Sequence, residues 1–490
     1  MLERRQLTNI GFDGVVDALE TCSPFGDELR RRLCPFAKNE REALLREHEN
    51  TRILAAALEK DPKLFTDVRH ALMQMKDVRR SVAASRQRAL TDVELFEVKR
   101  FLIVLEAFVP ACEAIDEVAA LGGIELFGMT EALDTVDPDG RRAVTFRLGD
   151  ALSEELASVR RERKEVDVAL RSAYADKERS ALEAKRLILA AREENEELRL
   201  RGEMTKAFSA HADRLLALIG SIGRLDLSIA KAMLLLSRGG CVPELTDGEE
   251  ISFEGMTDPM IADALKAKGR AFTPISIRLI PGSTVITGAN MGGKSVAVKT
   301  LALNAHLALS GMPVFAASAR LPLLCDVHLL AEDMESSESG LSSFGGEMVR
   351  FDSIIRSAET ETPALVLLDE FARGTNPHEG SSLVRAAVRY FNEVPGVYAL
   401  ITTHFDGVAR FARTHYQVMG LKNADEKALE AALSRQAGER DTALIARFMD
   451  YGLFLARPEA EPPRDALRIC RALGISKGFM DRVGDAPDGE

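Results

Sequence analysis

A chain of 490 residues, 46% of them hydrophobic, is long enough for two or three domains that each bury a core. Its net charge of −12, an aromatic content of 6% and the lack of tryptophan argue against a surface built throughout to bind polyanions or stack bases, although a local basic stripe could still meet DNA. No apolar run approaches the roughly eighteen residues that span a bilayer, and the start (MLERRQLTNIGFDG) lacks a secretory core, so a soluble, cytoplasmic chain without membrane contact is expected. The cysteines (Cys22, Cys34, Cys112, Cys241, Cys325, Cys470) form no CxxC pair and read as small buried hydrophobes in a reducing compartment.

Residues 1–125 read as a helical core domain. FGDELRRRLCPF has a helical period with a small residue at Gly26 and a stop at Pro35, and DVELFEVKRFLIVLEAF places Leu95, Val98, Phe101, Leu102 and Leu105 on one face. Residues 126–248 read as an arm with return helices. The DPDG turn at Asp137–Gly140 followed by the alternating AVTFRL predicts a short hairpin. From Asp150 to Arg201 there is neither Gly nor Pro, charge is dense, and Leu152, Leu156, Val159, Leu182, Leu187 and Leu198 recur at helical spacing. A single helix of that length would reach about 75 Å, so a helical hairpin turning near Ala173–Asp176 is expected, a solvated coiled-coil arm on which RRERK (Arg160 to Lys164) could touch a phosphate backbone.

Residues 249–423 alternate short β-rich runs (EISFEG, FTPISIRL, TVITG, PVFAA, CDVHLLAED, ALVLLDE, YALITTHF) with helices, which predicts an α/β domain with a mostly parallel sheet. Residues 424–490 read as helical again, ending in a polar tail.

Chemistry concentrates in the α/β region. TVITGANMGGKS fits G-x-x-x-x-G-K-[ST], with Gly288, Ala289, Asn290, Met291, Gly292, Gly293, Lys294 and Ser295 followed by Val296 in a helix that stops at Gly311. Backbone N–H groups of such a loop approach phosphate oxygens, Lys294 neutralises the β- and γ-phosphates, and the Ser295 hydroxyl sits on Mg²⁺. ALVLLDE delivers Asp369 to the end of a buried strand, where it can hold Mg²⁺ through water, and Glu370 beside it can deprotonate an attacking water. Thr402-Thr403-His404 closes a further strand, with His404 able to contact the γ-phosphate. SSFGGEM (Ser342 to Met348) precedes a helix and can bind anion through backbone and hydroxyl groups.

These four segments, in this order over about residues 250 to 420, resemble the MutS family. GANMGGKS is similar to its phosphate loop, with Ala289 where the family has Pro; SSFGGEM resembles its signature segment; LLDEFARGTNPHEGSSL, with Arg373-Gly374-Thr375, resembles its Walker B and D-loop; TTHF resembles its switch histidine. The resemblance implies an ABC-type P-loop ATPase domain with ATP and Mg²⁺, preceded by an all-α core with long coiled-coil lever helices. It further implies a homodimer through the ATPase domains in which Ser342, with Ser343 beside it, acts on the partner's nucleotide. Phe272 sits where the family stacks an aromatic on adenine, and RDALRICRALGIS (Arg464 to Ser476) looks like the C-terminal helical element that pairs these domains. No counterpart of the family's mismatch-reading wedge or of its nuclease-like domain is expected, and Thr257-Asp258-Pro259 stands where an Arg-His-Pro is usual. Two functions follow as expectations: a DNA-structure-binding, repair-related ATPase without wedge recognition, or an ATPase remodelling a protein client, as in reactivation of a cobalamin-dependent lysine or ornithine aminomutase.

Overall fold

The computed structural model describes residues 2–142, 148–172, 174–288, 293–331, 343–421, 449–457, 459–460, 470 and 475–484. Ala143 to Arg147 of the AVTFRL hairpin, Ala289 to Gly292, Ser342 and most of the C-terminal stretch, including RDALRICRALGIS apart from Cys470, Ile475 and Ser476, lie outside the described residues. The chain divides into two compact units, one of Glu20–Arg32 and Ile53–Ala230, the other of Met1–Leu19, Leu33–Arg52 and Lys231–Glu490.

Helices build the first unit. Ser23 caps the helix Pro24–Arg31, accepting from Gly26 N, and Pro24 occupies the position where a missing N–H costs nothing. A capping box of Thr91 and Glu94 starts the helix Asp92–Glu113, which buries Leu95, Val98, Phe101, Leu102 and Leu105 as their spacing predicts. The helices Glu154–Ser172 and Asp176–Ser209 run antiparallel, since Glu155 pairs with Arg192, Arg160 with Glu193 and Asp167 with Arg186. Their seam holds Val159, Val166 and Leu189 in one cluster and Leu148, Leu156 and Leu200 in another. Leu187 and Leu198, expected in the stripe, face solvent instead, because Leu189 and Leu200 take the inward positions two residues on.

The second unit carries two sheets. Strands in chain order are β1 (Glu244–Thr246), β2 (Ile251–Met256), β3 (Ile275–Leu279), β4 (Gly282–Thr287), β5 (Ser318–Pro322), β6 (Asp326–Leu330), β7 (Ala364–Leu368), β8 (Val397–Thr403), β9 (Thr414–Gly420) and β10 (Asp450–Leu455). The larger sheet runs β10-β9-β4-β8-β7-β6, parallel throughout except for the antiparallel edge pair β9–β10. Its central strands β4, β7 and β8 are buried at every position; β7 accordingly reads as an unbroken apolar run, while β4 and β8 also bury Ser283, Thr284, Thr287, Thr402 and Thr403. Val285, Val366, Leu368, Ile401, Val384, Val388 and Phe391 belong to one core that locks this sheet to the helix Pro377–Glu393.

A smaller sheet, β1-β5-β2-β3, is mostly antiparallel and adds to the parallel sheet that the sequence pattern predicts. PVFAA, expected as a strand, forms only an isolated bridge between Val314 and Cys241; the strand begins at Ser318. Its backbone finds other partners instead: Phe315 N donates to Asn304 Oδ1 at 2.7 Å and Phe315 O accepts from Thr257 N. The expectation of helix alone beyond residue 424 is corrected by β10, which pairs with β9; the helix Lys477–Gly484 follows later. Only Cys112 is buried; Cys34 is exposed and the other cysteines are half-buried, with Cys22, Cys34 and Cys325 in loops rather than on core faces. Among the described residues no helix is long and apolar enough to cross a membrane.

Candidate functional site

The register of the larger sheet gathers the motif residues. Thr287 of β4 lies opposite Thr403 of β8, and Leu368 of β7 opposite Ile401, so the chain leaves all three strands at one edge of the sheet. Carboxyl ends of parallel strands are where α/β sheets bind ligands. The residues delivered there are Gly288 after β4, Asp369 and Glu370 after β7, and His404 after β8.

Both described glycines of the glycine-rich run GANMGGKS are demanded by their surroundings. Gly288 has φ +153° and a Cβ there would lie 3.1 Å from Val418 Cβ; Gly293 has φ +90° and its Cβ would lie 3.0 Å from Tyr451 Cδ1. The helix Lys294–Leu309 starts immediately after. Lys294 is 3% exposed; its Nζ donates to the Gly288 carbonyl at 2.7 Å and pairs with Glu370 Oε1 at 3.2 Å. Burial pulls the ammonium below its ordinary pKa, against the opposing field of Glu370.

Asp369 is buried, and burial raises its carboxyl above the ordinary range, opposed by hydrogen bonds from Ser295 and Thr402. The Thr402 hydroxyl does two things at once. It donates to Asp369 Oδ1 at 2.7 Å and accepts from Glu370 N at 2.9 Å. Glu370 has φ +52° and Ala372 φ +60°, left-handed values that cost non-glycine residues about 1–3 kcal/mol each and persist only where neighbours hold them. Besides Lys294, Glu370 meets Arg373, whose Nη1 lies 3.0 Å from Oε2. Ala372 N donates to Glu347 Oε1 at 3.1 Å, and Phe371 lies 4.3 Å, centroid to centroid, from Phe351. His404 is exposed; desolvation lowers its pKa, Glu370 opposes this, and Lys294 and Arg373 reinforce it.

Val296 is half-buried in the first turn of the helix Lys294–Leu309, and Phe272 is half-buried in the loop before β3. Two residues before Phe272, Arg270 reaches Tyr451 Oη at 3.4 Å, and Tyr451 in turn lies against Gly293. Ser343 begins the helix Ser343–Thr360. Asp258 acts locally, capping the helix Pro259–Ala267 by accepting from Met260 N and Ile261 N.

Ser295 and Asp369 offer a hydroxyl and a carboxylate in mutual contact, a hard oxygen pair of the kind that suits Mg²⁺. Among the described residues no group of three or more His, Cys, Asp or Glu side chains could hold a metal ion, so further oxygens would come from phosphate and water. In the helical unit, Arg160 and Arg163 are committed to carboxylates of their own hairpin: Arg160 to Asp150, Glu193 and Glu197, and Arg163 to Glu193. Arg161 and Lys164 are exposed. Glu347 and Tyr451 carry no individual signal in the sequence, since neither stands in a motif position with a chemical reading of its own.

Residues 284–456, which hold this sheet edge and its motifs, match the family MutS domain V. The chain carries a domain V of the MutS family. Within the MutS family it is 33% identical over 216 residues to Endonuclease MutS2 of Streptococcus gordonii, covering 44% of this chain and 27% of that one. It is 34% identical over 306 residues to Endonuclease MutS2 of Thermomicrobium roseum, 60% of this chain and 35% of that one. DNA mismatch repair protein MutS of Shouchella clausii is 30% identical over 252 residues, 51% and 28% respectively. The chain thus spans roughly a third of the length of these curated MutS relatives.

Proposed function

We propose that residues 249–423 form an ABC-type P-loop ATPase domain that binds ATP with Mg²⁺ and hydrolyses it to ADP and phosphate. One observation carries the reading: Lys294 and Ser295 touch Glu370 and Asp369 at a shared edge of a parallel sheet. In this mechanism Lys294 exchanges its contact with Glu370 for the β- and γ-phosphates, which frees the carboxylate. Glu370 then accepts a proton from the attacking water. Ser295 and Asp369 would hold Mg²⁺, which supplies charge neutralisation at the phosphates. His404 would contact the γ-phosphate and Phe272 the adenine. Ser342 and Ser343 would complete the partner's site in a homodimer, with residues 424–490 contributing to pairing.

For the whole chain we favour a DNA-structure-binding, repair-related role without wedge recognition, the helices of residues 126–248 serving as a lever arm. The names of the relatives support DNA over a protein client such as an aminomutase. The arm argues the other way, because each of its two helices carries as many acidic as basic residues and Arg160 and Arg163 are already paired.

Lys294→Ala should abolish ATP binding, while Glu370→Gln should bind ATP and turn over at least ~100-fold more slowly. ATPase activity with duplex, branched and single-stranded DNA, compared with none, separates the two roles. A Glu370→Gln chain hydrolysing at the wild-type rate would falsify the base assignment, and turnover indifferent to every DNA would favour the protein client.

A further inference from the structure

Glu370 occupies a turn that the strand before it does not dictate. β7 ends at Leu368, and within the next four residues both Glu370 and Ala372 adopt left-handed backbone. Ala372 is fully buried, so its N–H cannot be satisfied by water and needs a partner. That partner is the Glu347 carboxylate, 3.1 Å away. Glu347 and Phe351 stand four residues apart in the helix Ser343–Thr360, which puts them on one face, and Phe351 packs on Phe371 of the same turn. Gly380 lets the opposite side close in, since a Cβ there would lie 2.7 Å from the Ala372 carbonyl oxygen.

We propose that Glu347 is a positioning residue for hydrolysis: by accepting from Ala372 N it fixes the turn to the helix Ser343–Thr360 and so sets where the Glu370 carboxylate points. This rests on the ATPase reading above. Thr402 holds the turn at Glu370 N, and the Glu347 contact holds it two residues further on, at Ala372 N. With Glu347 in place, any displacement of the helix Ser343–Thr360 is carried to Glu370 through Ala372 and Phe371.

The test uses the full chain with Glu347→Ala and Glu347→Gln, reading ATP affinity with a fluorescent analogue, turnover, and amide hydrogen exchange at Ala372. Glu347→Ala should leave ATP affinity within ~2-fold, slow turnover by ~10- to 100-fold as the carboxylate drifts, and speed exchange at Ala372. Glu347→Gln keeps an oxygen that accepts from Ala372 N, and should restore most of the rate and the protection. The proposal is overturned if Glu347→Ala turns over normally, if its exchange at Ala372 is unchanged, or if Gln is as slow as Ala. Equal loss of affinity and rate would also overturn it, by assigning Glu347 to nucleotide binding. Failure of the ATPase reading looks different: the wild-type chain would bind no ATP, while the exchange comparison would still report on the Glu347 contact.

Discussion

Thr402→Val removes one buried oxygen and keeps the shape of the side chain. In the folded protein Thr402 is fully buried, and its hydroxyl is both the acceptor for Glu370 N and a donor to Asp369 Oδ1. Valine leaves a buried N–H unsatisfied, which costs about 1–3 kcal/mol, and takes from a buried carboxylate a hydrogen bond worth about 1.5–3 kcal/mol. The two losses share one atom, so we expect a combined destabilisation of about 2–4 kcal/mol rather than their full sum. For a unit of this size that lowers the thermal midpoint by roughly 3–6 °C. Differential scanning calorimetry on the wild type, Thr402→Val and Thr402→Ser measures it. Serine keeps the hydroxyl and loses a methyl, so it should cost only about 1 kcal/mol. A valine variant as stable as the wild type, or a serine variant as unstable as the valine one, refutes the bridging role.

In the helical unit, Gly26→Ala drives a Cβ to 2.2 Å from Asp226 Oδ2, a carboxylate that cannot yield because it accepts from Cys22 N, Ser23 N and Ser23 Oγ. The variant should lose about 1–3 kcal/mol in urea unfolding, and an unchanged midpoint would show that the contact relaxes freely. Burial holds the imidazoles of His48 and His306 at about 4, against 6.5 when unfolded. The unfolded chain therefore binds more protons between those values: stability is complete above pH 6.5 and falls towards pH 4, by about 2 kcal/mol per histidine at about pH 5. Thermal midpoints across that window should fall, less steeply in His48→Gln, and parallel curves for the two proteins would exclude His48 as a contributor. If the arm meets duplex DNA through RRERK, Arg161 and Lys164 are the exposed cations of that run, and replacing both with Ala should lower the slope of log affinity against log salt by about 2. An unaltered slope locates the DNA contact elsewhere.

The candidate site is largely legible in the sequence because its pieces are contiguous runs. GANMGGKS, ALVLLDE and TTHF each join a strand end to its functional residues, and parallel strands buried on both faces bring those ends together without further instruction. What escapes reading depends on partners distant in sequence. β1 pairs with β5 across Glu244 and Arg320, and nothing local marks that pairing. PVFAA has strand-like composition, yet its backbone is claimed by Asn304 and Thr257, whereas the true strand SARLP carries an exposed Ser and Arg that weaken its apolar signal. DYGLFL is an edge strand with its last residue, Leu455, 69% exposed, so it lacks the alternation that would announce it. Glu347 is readable as part of a segment but not as a contact, since a helical carboxylate gives no hint of which buried N–H it will meet.

Strand pairing in β8 also doubles as an address. Side chains alternate faces with a period of two, so sliding β8 by one residue against β7 would replace the Thr402 hydroxyl beside Asp369 with Ile401 or Thr403, turned to the wrong side. A single-residue insertion between Val397 and Thr402 should therefore silence the site while leaving every acidic and basic group of it in the polypeptide.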